Sequence, residues 1–288
     1  MTRKSEVAFV TPRDESYPAL LRNIENPPKK LYYEGELSLL SRPAVAVVGA
    51  RKATEYGRWA AISIAKRYAE CGLVVVSGMA AGIDTFAHTG ALEGNGSTVA
   101  VLGCGIDICY PRSNLRLRES ILQNGLILSE YPPETQPTRF TFPARNRIIS
   151  GLSLATVIVE AGLSSGSLIT AEWAAKQGRE VYAVPGNINR QVSIGCNKLI
   201  YDGARPLVFI DDVLTDLGIK TEARREDVRG LSEEERIAFD AIRDNGELNV
   251  DDLALLTGNS VQKSAALVTI LEIKGLVGYY SGKILIAK

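Results

Sequence analysis

The sequence has few of the residues on which metal and nucleophilic chemistry depend. Its 288 residues include one histidine, His88, and four cysteines, no two of them spaced as CxxC. Because structural zinc sites need closely spaced Cys and His ligands, we predict reduced thiols, no metal and no cofactor. A Ser-His-Asp triad would have to use His88, for which we expect a structural role.

A surplus of either charge is also absent, since 33 basic side chains balance 33 acidic ones. A general electrostatic attraction to nucleic acid or to a membrane is therefore excluded, and any anion site must be a local patch. No apolar run approaches the roughly 20 residues that span a bilayer, and no apolar signal core follows the first residues. We predict a cytoplasmic protein with no membrane partner.

From Ala44 onward, short runs of Val, Ile and Leu alternate with helical segments. Continuous apolar runs are typical of parallel strands buried on both faces. The alternation predicts an α/β fold with a doubly wound, mostly parallel, Rossmann-like sheet over residues 43–218. The predicted strands are 44–48, 73–76, 98–102, 126–128, 155–159, 181–184 and 207–210. Residues 1–42, which contain proline and turn signals, are predicted to be small helices and turns packed on this domain.

The end of the chain has the pattern of a second, smaller domain. Residues 219–230 are charged and predict a linker, and residues 231–288 predict a winged helix. Ser232 and Glu235 form a capping-box pattern that opens the first of three helices, and a hairpin follows them. Six basic and nine acidic side chains over residues 230–288 disfavour binding to phosphates. We expect a protein contact there, with weak duplex binding as the alternative.

Small residues follow several of the predicted strands, notably at Gly49, at Ser77 and Gly78, and at Gly166 and Ser167. The carboxyl ends of parallel strands share one edge, where backbone N–H groups at helix N-termini bind anions. The edge therefore predicts a phosphate-binding surface, although each turn alone could be an ordinary tight turn. Neither the G-x-G-x-x-G dinucleotide fingerprint nor a P-loop is present.

Residues 135–159 contain three arginines and no carboxylate, and Phe140 and Phe142 lie beside Arg139. Guanidinium groups bind phosphate and aromatic rings stack on bases, so the mixture is typical of a single-stranded nucleic-acid groove. The alternative is that the rings belong to the core and the arginines pair with carboxylates. Carboxylates also fall at predicted strand ends: Asp84, Asp107, Glu130 and Glu160. They could bind a metal or act as acid and base, but we expect them to cap helices and pair with arginines, since nothing else in the sequence completes a catalytic set.

The order and spacing of these motifs resemble the DNA-processing protein A family, DprA, also called Smf. The matching motifs are Gly49-Ala50-Arg51, Ser77–Asp84, Thr98–Gly103 with Tyr110-Pro111, Ser129–Pro132, Phe142–Ser150, Ser165–Ala171 and Pro185-Gly186. The resemblance implies a single-stranded DNA-binding domain, a homodimer, and loading of RecA recombinase onto incoming or SSB-coated strands in natural transformation. It implies no turnover chemistry.

Carried over motif by motif, the resemblance implies that Arg51 and the loop Gly78–Gly82 contact phosphates, Arg139 clamps the backbone and Phe142 stacks on a base. The expected DNA-binding residues are Gly49, Arg51, Ser77, Gly78, Gly82, Arg139, Phe140, Phe142, Arg145, Asn146, Arg147, Ser165, Gly166, Ser167 and Thr170. Many members carry a helical N-terminal domain, and we expect the residues before Ala44 to be too few to form one.

An enzyme is the alternative, because the related LOG nucleotide phosphoribohydrolases share the sheet and a glycine loop. Their loop resembles P-G-G-x-G-T-x-x-E, and its glutamate works on the ribose. Here the run Ser164–Thr170 has no carboxylate before Glu172. The enzyme interpretation is disfavoured because a motif counts only with its chemistry in place.

Overall fold

The computed structural model describes residues 7–219, 230–280 and 282–286. The chain divides into two compact units, residues 1–221 and residues 222–288. Within the described ranges, no helix is both long and apolar enough to cross a membrane. The predicted linker, residues 219–230, lies almost entirely outside the described residues.

The larger unit is built on a nine-stranded sheet. Its strands are β1 (Phe9–Val10), β2 (Leu31–Gly35), β3 (Ala44–Val48), β4 (Val74–Ser77), β5 (Thr98–Leu102), β6 (Leu126–Ser129), β7 (Ala155–Ile158), β8 (Glu180–Ala183) and β9 (Arg205–Pro206). Their order is β1-β2-β6-β5-β4-β3-β7-β8-β9, and every pairing from β6 to β9 is parallel. The predicted doubly wound α/β fold is confirmed.

Two expectations about the sheet were wrong. Residues 1–42 supply strands as well as helices and turns, because β2 pairs antiparallel with β6, with Tyr32 opposite Ser129. The predicted strand at 207–210 does not form, and only Arg205–Pro206 pairs with β8. The Asp212 carboxylate instead accepts hydrogen bonds from the backbone N–H groups of Val208 and Phe209. These bonds turn the chain away from the sheet into the next helix.

Helices cover both faces of this sheet. They are α1 (Ala19–Arg22), α2 (Glu55–Glu70), α3 (Ile83–Glu93), α4 (Leu115–Asn124), α5 (Thr141–Gly151), α6 (Gly166–Lys176), α7 (Gln191–Tyr201) and α8 (Asp212–Asp216), with 3-10 turns at Leu37–Ser41 and Arg112–Asn114. Alternate residues of β3 point to opposite faces. Val45 and Val47 pack with α2 and α3, while Ala46 and Val48 pack with α5 and α6.

The order in which successive strands are added reverses at β3, whose neighbours are β4 and β7. All five residues of β3 are buried, as a central strand requires. In doubly wound sheets, the crevice outside the carboxyl ends of the strands at such a switch point is where ligands bind. The segments that follow β3 and β7 are therefore the ones that decide what this protein can bind.

The smaller unit is a winged helix. Its elements are α9 (Glu233–Asn245), β10 (Glu247–Leu248), α10 (Val250–Thr257), α11 (Val261–Ile273), β11 (Val277–Tyr280) and β12 (Lys283–Ile286). The strands pair in the order β10-β12-β11. The predicted capping box forms, since Ser232 and Glu235 each accept a hydrogen bond from the other's backbone N–H. Three helices bury a core that includes Phe239, Ile242 and Leu271.

Candidate nucleic-acid interface

An open cleft of about 740 Å³ lies at the carboxyl edge of the larger sheet. The loop after β3, the start of α5 and the N-terminus of α6 provide most of its lining. The lining residues that the sequence predicted are Gly49, Arg51, Arg139, Phe142, Arg145, Asn146, Ser165, Gly166, Ser167 and Thr170. The structure thus brings ten separately predicted residues together at the switch point.

The loop after β3 is fixed at both ends. A Cβ on Gly49 would lie 2.8 Å from the Ile83 side chain and 2.9 Å from the Glu160 carbonyl oxygen, so a larger residue does not fit there. At the other end, the buried Glu160 carboxylate accepts hydrogen bonds from the backbone N–H and the hydroxyl of Thr54. Arg51, between these anchors, is exposed. The loop backbone is held by these contacts while the Arg51 side chain faces the cleft.

The loop after β4 is organised by a buried charge pair, Asp84 and Arg145. Asp84 accepts backbone N–H groups from this loop and from Gly49, while Arg145 donates to the carbonyl oxygens of Gly78 (2.7 Å) and Val101. Burial raises the pKa of Asp84 and lowers that of Arg145, and each charge opposes the shift of the other. A Cβ on Gly78 would lie 2.5 Å from the guanidinium group.

Arg145 and Arg147, both expected among the DNA-binding residues, have their guanidinium groups bonded within the protein. Arg145 is only 4% exposed and its donors point to protein carbonyl groups. Arg147 forms a two-pronged ion pair with Glu130, at 2.6 and 2.7 Å, and also donates to Asn26. It does not line the cleft. The alternative, that these arginines pair with carboxylates, is observed for Arg147, whereas Arg145 donates mainly to backbone carbonyl oxygens.

Other predicted residues support the cleft from outside its lining. The buried Ser77 hydroxyl donates to the Val47 carbonyl oxygen at 2.7 Å, which links two strands. Gly82 precedes α3 with φ of +82°, and a Cβ there would clash with the Ala50 carbonyl oxygen. Gly78 lines a smaller adjoining pocket of about 90 Å³. Phe140 is 70% exposed beside the cleft rather than in its lining.

Aromatic rings lie against cations in and beside the cleft. The Arg51 guanidinium carbon lies 5.3 Å from the centroid of the Phe142 ring. The ring centroids of Tyr110 and Phe142 lie 5.4 Å apart, and the two ring planes are tilted by 35°. The Arg139 guanidinium carbon lies 4.7 Å from the Phe140 ring. These arrangements leave planar, cation-flanked surfaces of the kind that accept nucleobases.

The N-terminus of α6 points into the same cleft. Ser165 caps it by accepting a hydrogen bond from the Ser167 N–H, and the two hydroxyl oxygens lie 2.8 Å apart. A Cβ on Gly166 would meet no atom within 4 Å, so the first turn is open. The helix dipole and the open space at this first turn favour the binding of an anion there.

The net charge of the lining is positive. Arg51, Lys52 and Arg139 are exposed and form no ion pair with any described residue. Asp84 is the one carboxylate in the described lining, and it is buried beside Arg145. Glu172, the carboxylate nearest in sequence to the α6 turn, is exposed and lies outside the lining. Across the described residues, no group of three His, Cys, Asp or Glu could hold a metal ion.

Sequence reasoning missed Lys52 and Tyr110 as candidate binding residues. Lys52 follows Arg51 directly, and its place in the lining could have been read from that adjacency. Tyr110 is 46% exposed and comes eight residues after β5 ends. Its approach to Phe142 depends on how the long β5–α4 connection folds, and no local pattern encodes that.

The fold and the cleft define a class of protein: a Rossmann-like protein whose cleft at the switch point of the sheet can receive an anion. Residues 8–218 match the model of the DNA recombination-mediator protein A family. The chain belongs to this family, and the resemblance seen in its motifs is confirmed.

Several relatives illustrate the match. DNA processing protein DprA of Streptococcus pneumoniae is 46% identical over 203 residues, which cover 70% of this chain and 72% of that protein. A putative DprA of Mycobacterium tuberculosis is 37% identical over 294 residues, covering 96% and 76%.

Solved structures agree. The S. pneumoniae DprA structure matches with a TM-score of 0.71 at 43% identity, covering 76% of each chain. The Helicobacter pylori DNA processing protein A matches with a TM-score of 0.67 at 36% identity, covering 74% of this chain and 96% of that one. The latter is described by its single-stranded DNA binding mode.

Proposed function

We propose that this chain binds single-stranded DNA in the cleft at the carboxyl edge of its sheet, without turnover chemistry. The observation that carries the proposal is the set of three exposed cations, Arg51, Lys52 and Arg139, which have no ion-pair partner among the described residues and line the same cleft as the Phe142 ring, against which Arg51 lies. Phosphates need free cations, and bases need exposed ring faces. The relation to the H. pylori protein supports the same ligand.

The proposed contacts divide into three groups. Arg51, Lys52, Arg139 and the N-terminal turn of α6 receive phosphates, and Phe142 with Tyr110 receives a base. Three glycines leave room for the protein groups packed against the loops of the cleft: Gly49, Gly78 and Gly82. Arg145 and Arg147 act indirectly, because their guanidinium groups hold the loop and α5 in place.

We also propose that the protein acts as a homodimer that delivers the bound strand to RecA recombinase, with SSB-coated DNA as its substrate. Membership of a recombination-mediator family supports this step. The test is assembly of RecA filaments on SSB-coated single strands, with and without the full-length protein. Assembly that is no faster with the protein present contradicts delivery, whatever the cleft binds.

The winged helix is a weaker candidate than the cleft for the DNA-binding site. Four of its basic side chains are paired with carboxylates: Arg243 with Asp240 and Asp244, Lys263 with Glu234, Lys274 with Glu235, and Lys283 with Glu247. Because neutralising phosphates would require breaking these pairs, we assign this unit a protein contact.

Fluorescence anisotropy of labelled oligo-dT at low salt tests the proposal. We expect Arg51→Ala and Arg139→Ala each to weaken binding, whereas Arg13→Ala binds like the wild type. Arg13 is a matched control, because it is exposed, forms no ion pair with described residues, and follows β1 at the far edge of the sheet. Absence of wild-type binding, or equal loss in the control, would refute DNA binding in this cleft.

A further inference from the structure

Two large aromatic side chains stand exposed on the first turns of α2, outside the cleft. Tyr56 is 51% exposed and Trp59 is 60% exposed. They are three residues apart and so share one face of the helix. Their ring centres lie 6.0 Å apart with the planes tilted by 32°. Nothing in the cleft already described uses them.

The pair is continuous with the cleft. The helix starts three residues after Lys52, and its cap, Thr54, is held by Glu160. Gly57, between the two rings, lies against the Glu160 carboxylate so closely that a side chain there would clash. Burial raises the pKa of Tyr56, and the nearby Glu160 carboxylate raises it further. The first turn of α2, which carries Tyr56, is thus joined through Glu160 to the segment that follows β7 and that contributes Gly162 to the cleft lining.

The surroundings of the pair are basic. Residues 51–66 carry four cations and one carboxylate, Glu55. None of the four cations forms an ion pair with a described residue, and the Arg58 guanidinium carbon lies 5.5 Å from the Phe86 ring. The cations are Arg51, Lys52, Arg58 and Lys66. Exposed rings among unpaired cations suit a polyanion with flat bases better than an apolar protein surface.

We propose that Tyr56 and Trp59 form a second stacking platform for single-stranded DNA. A strand that leaves the cleft past Lys52 crosses the N-terminal turns of α2, where its bases stack on the two rings and Arg58 neutralises a phosphate. The platform rests on the proposed function, since it extends the path of the same strand. It requires a longer strand than the cleft alone does.

Tryptophan fluorescence gives a direct readout, because Trp59 and Trp173 are the two tryptophans of the chain. Trp173 lies on α6 with the Lys176 ammonium 5.2 Å from its ring, and Trp173→Phe keeps a ring at that contact. In the Trp173→Phe protein, the emission comes from Trp59. We expect unlabelled oligo-dT to quench it with the same midpoint as the anisotropy of labelled DNA.

Affinity against strand length gives an independent readout. Oligo-dT of about 4 and about 16 nucleotides brackets common single-strand site sizes. We expect Trp59→Ala and Tyr56→Ala to weaken binding of the longer strand by about fivefold or more each, since one stacked base contributes at least about that factor. Binding of the short strand stays unchanged. Trp59→Phe retains a ring and restores most of the affinity.

The outcomes separate the two proposals. Tight binding of both strands with no quenching of Trp59, or with equal affinity in Trp59→Ala, overturns the platform and leaves the cleft intact. Loss of short-strand and long-strand binding alike in Trp59→Ala also overturns it, because the platform lies beyond the reach of a short strand. Absence of any binding by the wild type overturns the proposed function and the platform with it.

Discussion

The salt dependence of DNA binding counts the cations that meet phosphates, and the structure fixes that count. Three cleft cations are unpaired: Arg51, Lys52 and Arg139. For single strands, each neutralised phosphate contributes about −0.7 to the slope of log K against log salt. A short oligo-dT that occupies one cleft should therefore show a slope of about −2.1, and affinity should fall about 18-fold between 50 and 200 mM salt.

Single substitutions refine this count. Arg51→Ala should reduce the slope to about −1.4, because one phosphate contact is lost. Arg147→Ala should leave the slope at about −2.1, since its guanidinium group is held by Glu130 rather than by DNA. The assay is anisotropy of one labelled oligonucleotide across a salt series for the three proteins.

A different slope would refute the assignment of roles. If Arg145 and Arg147 also neutralised phosphates, five contacts would give a slope of about −3.5. A shallower slope in Arg147→Ala equal to that in Arg51→Ala would mean that the Glu130 pair opens in the complex.

Three further outcomes follow from the contacts. Phe142→Ala should weaken oligo-dT binding by about 1–3 kcal/mol in the anisotropy assay, through loss of a stacked base. Gly78→Ala should destabilise the fold by about 1–3 kcal/mol in urea unfolding, because its Cβ displaces the Arg145 guanidinium, whereas Gly166→Ala has open space and should not. Burial lowers the pKa of His88 to about 3, so as the pH falls the imidazole binds a proton in the unfolded chain before it does so in the folded one. The free energy of unfolding should therefore drop by about 2 kcal/mol from pH 7 to pH 5. His88→Gln should remove this contribution to the pH dependence.

Each of these outcomes has a result that contradicts it. Phe142→Ala with unchanged affinity would remove the ring from the base site. Equal stability of the Gly78 and Gly166 variants would show that Arg145 moves at no cost. The same pH dependence in His88→Gln and wild type would place the titrating group elsewhere.

The parts of the fold that were predictable are those that local pattern encodes. The strands β3 to β8 lie in short apolar runs of the sequence. The first helix of the winged helix was predictable from the Ser232–Glu235 capping-box pattern at its start. The strands β1 and β9 escaped prediction because they are the two-residue edge strands of the sheet, and β2 because it is added next to β1 by antiparallel pairing. Edge pairing depends on a partner elsewhere in the chain, as Tyr32 depends on Ser129, rather than on periodicity within the segment.

The site shows the same division at the level of single residues. Arg139, Arg145 and Arg147 come from one basic stretch, and composition alone gives them one role. Their roles differ because Arg145 meets the Gly78 carbonyl 67 residues away and Arg147 meets Glu130 on the preceding strand connection, while Arg139 stays exposed. The number of cations in a basic motif is therefore larger than the number that can bind phosphate whenever the fold pairs some of them within the protein. Here the affinity for phosphates should depend on the cations that remain unpaired.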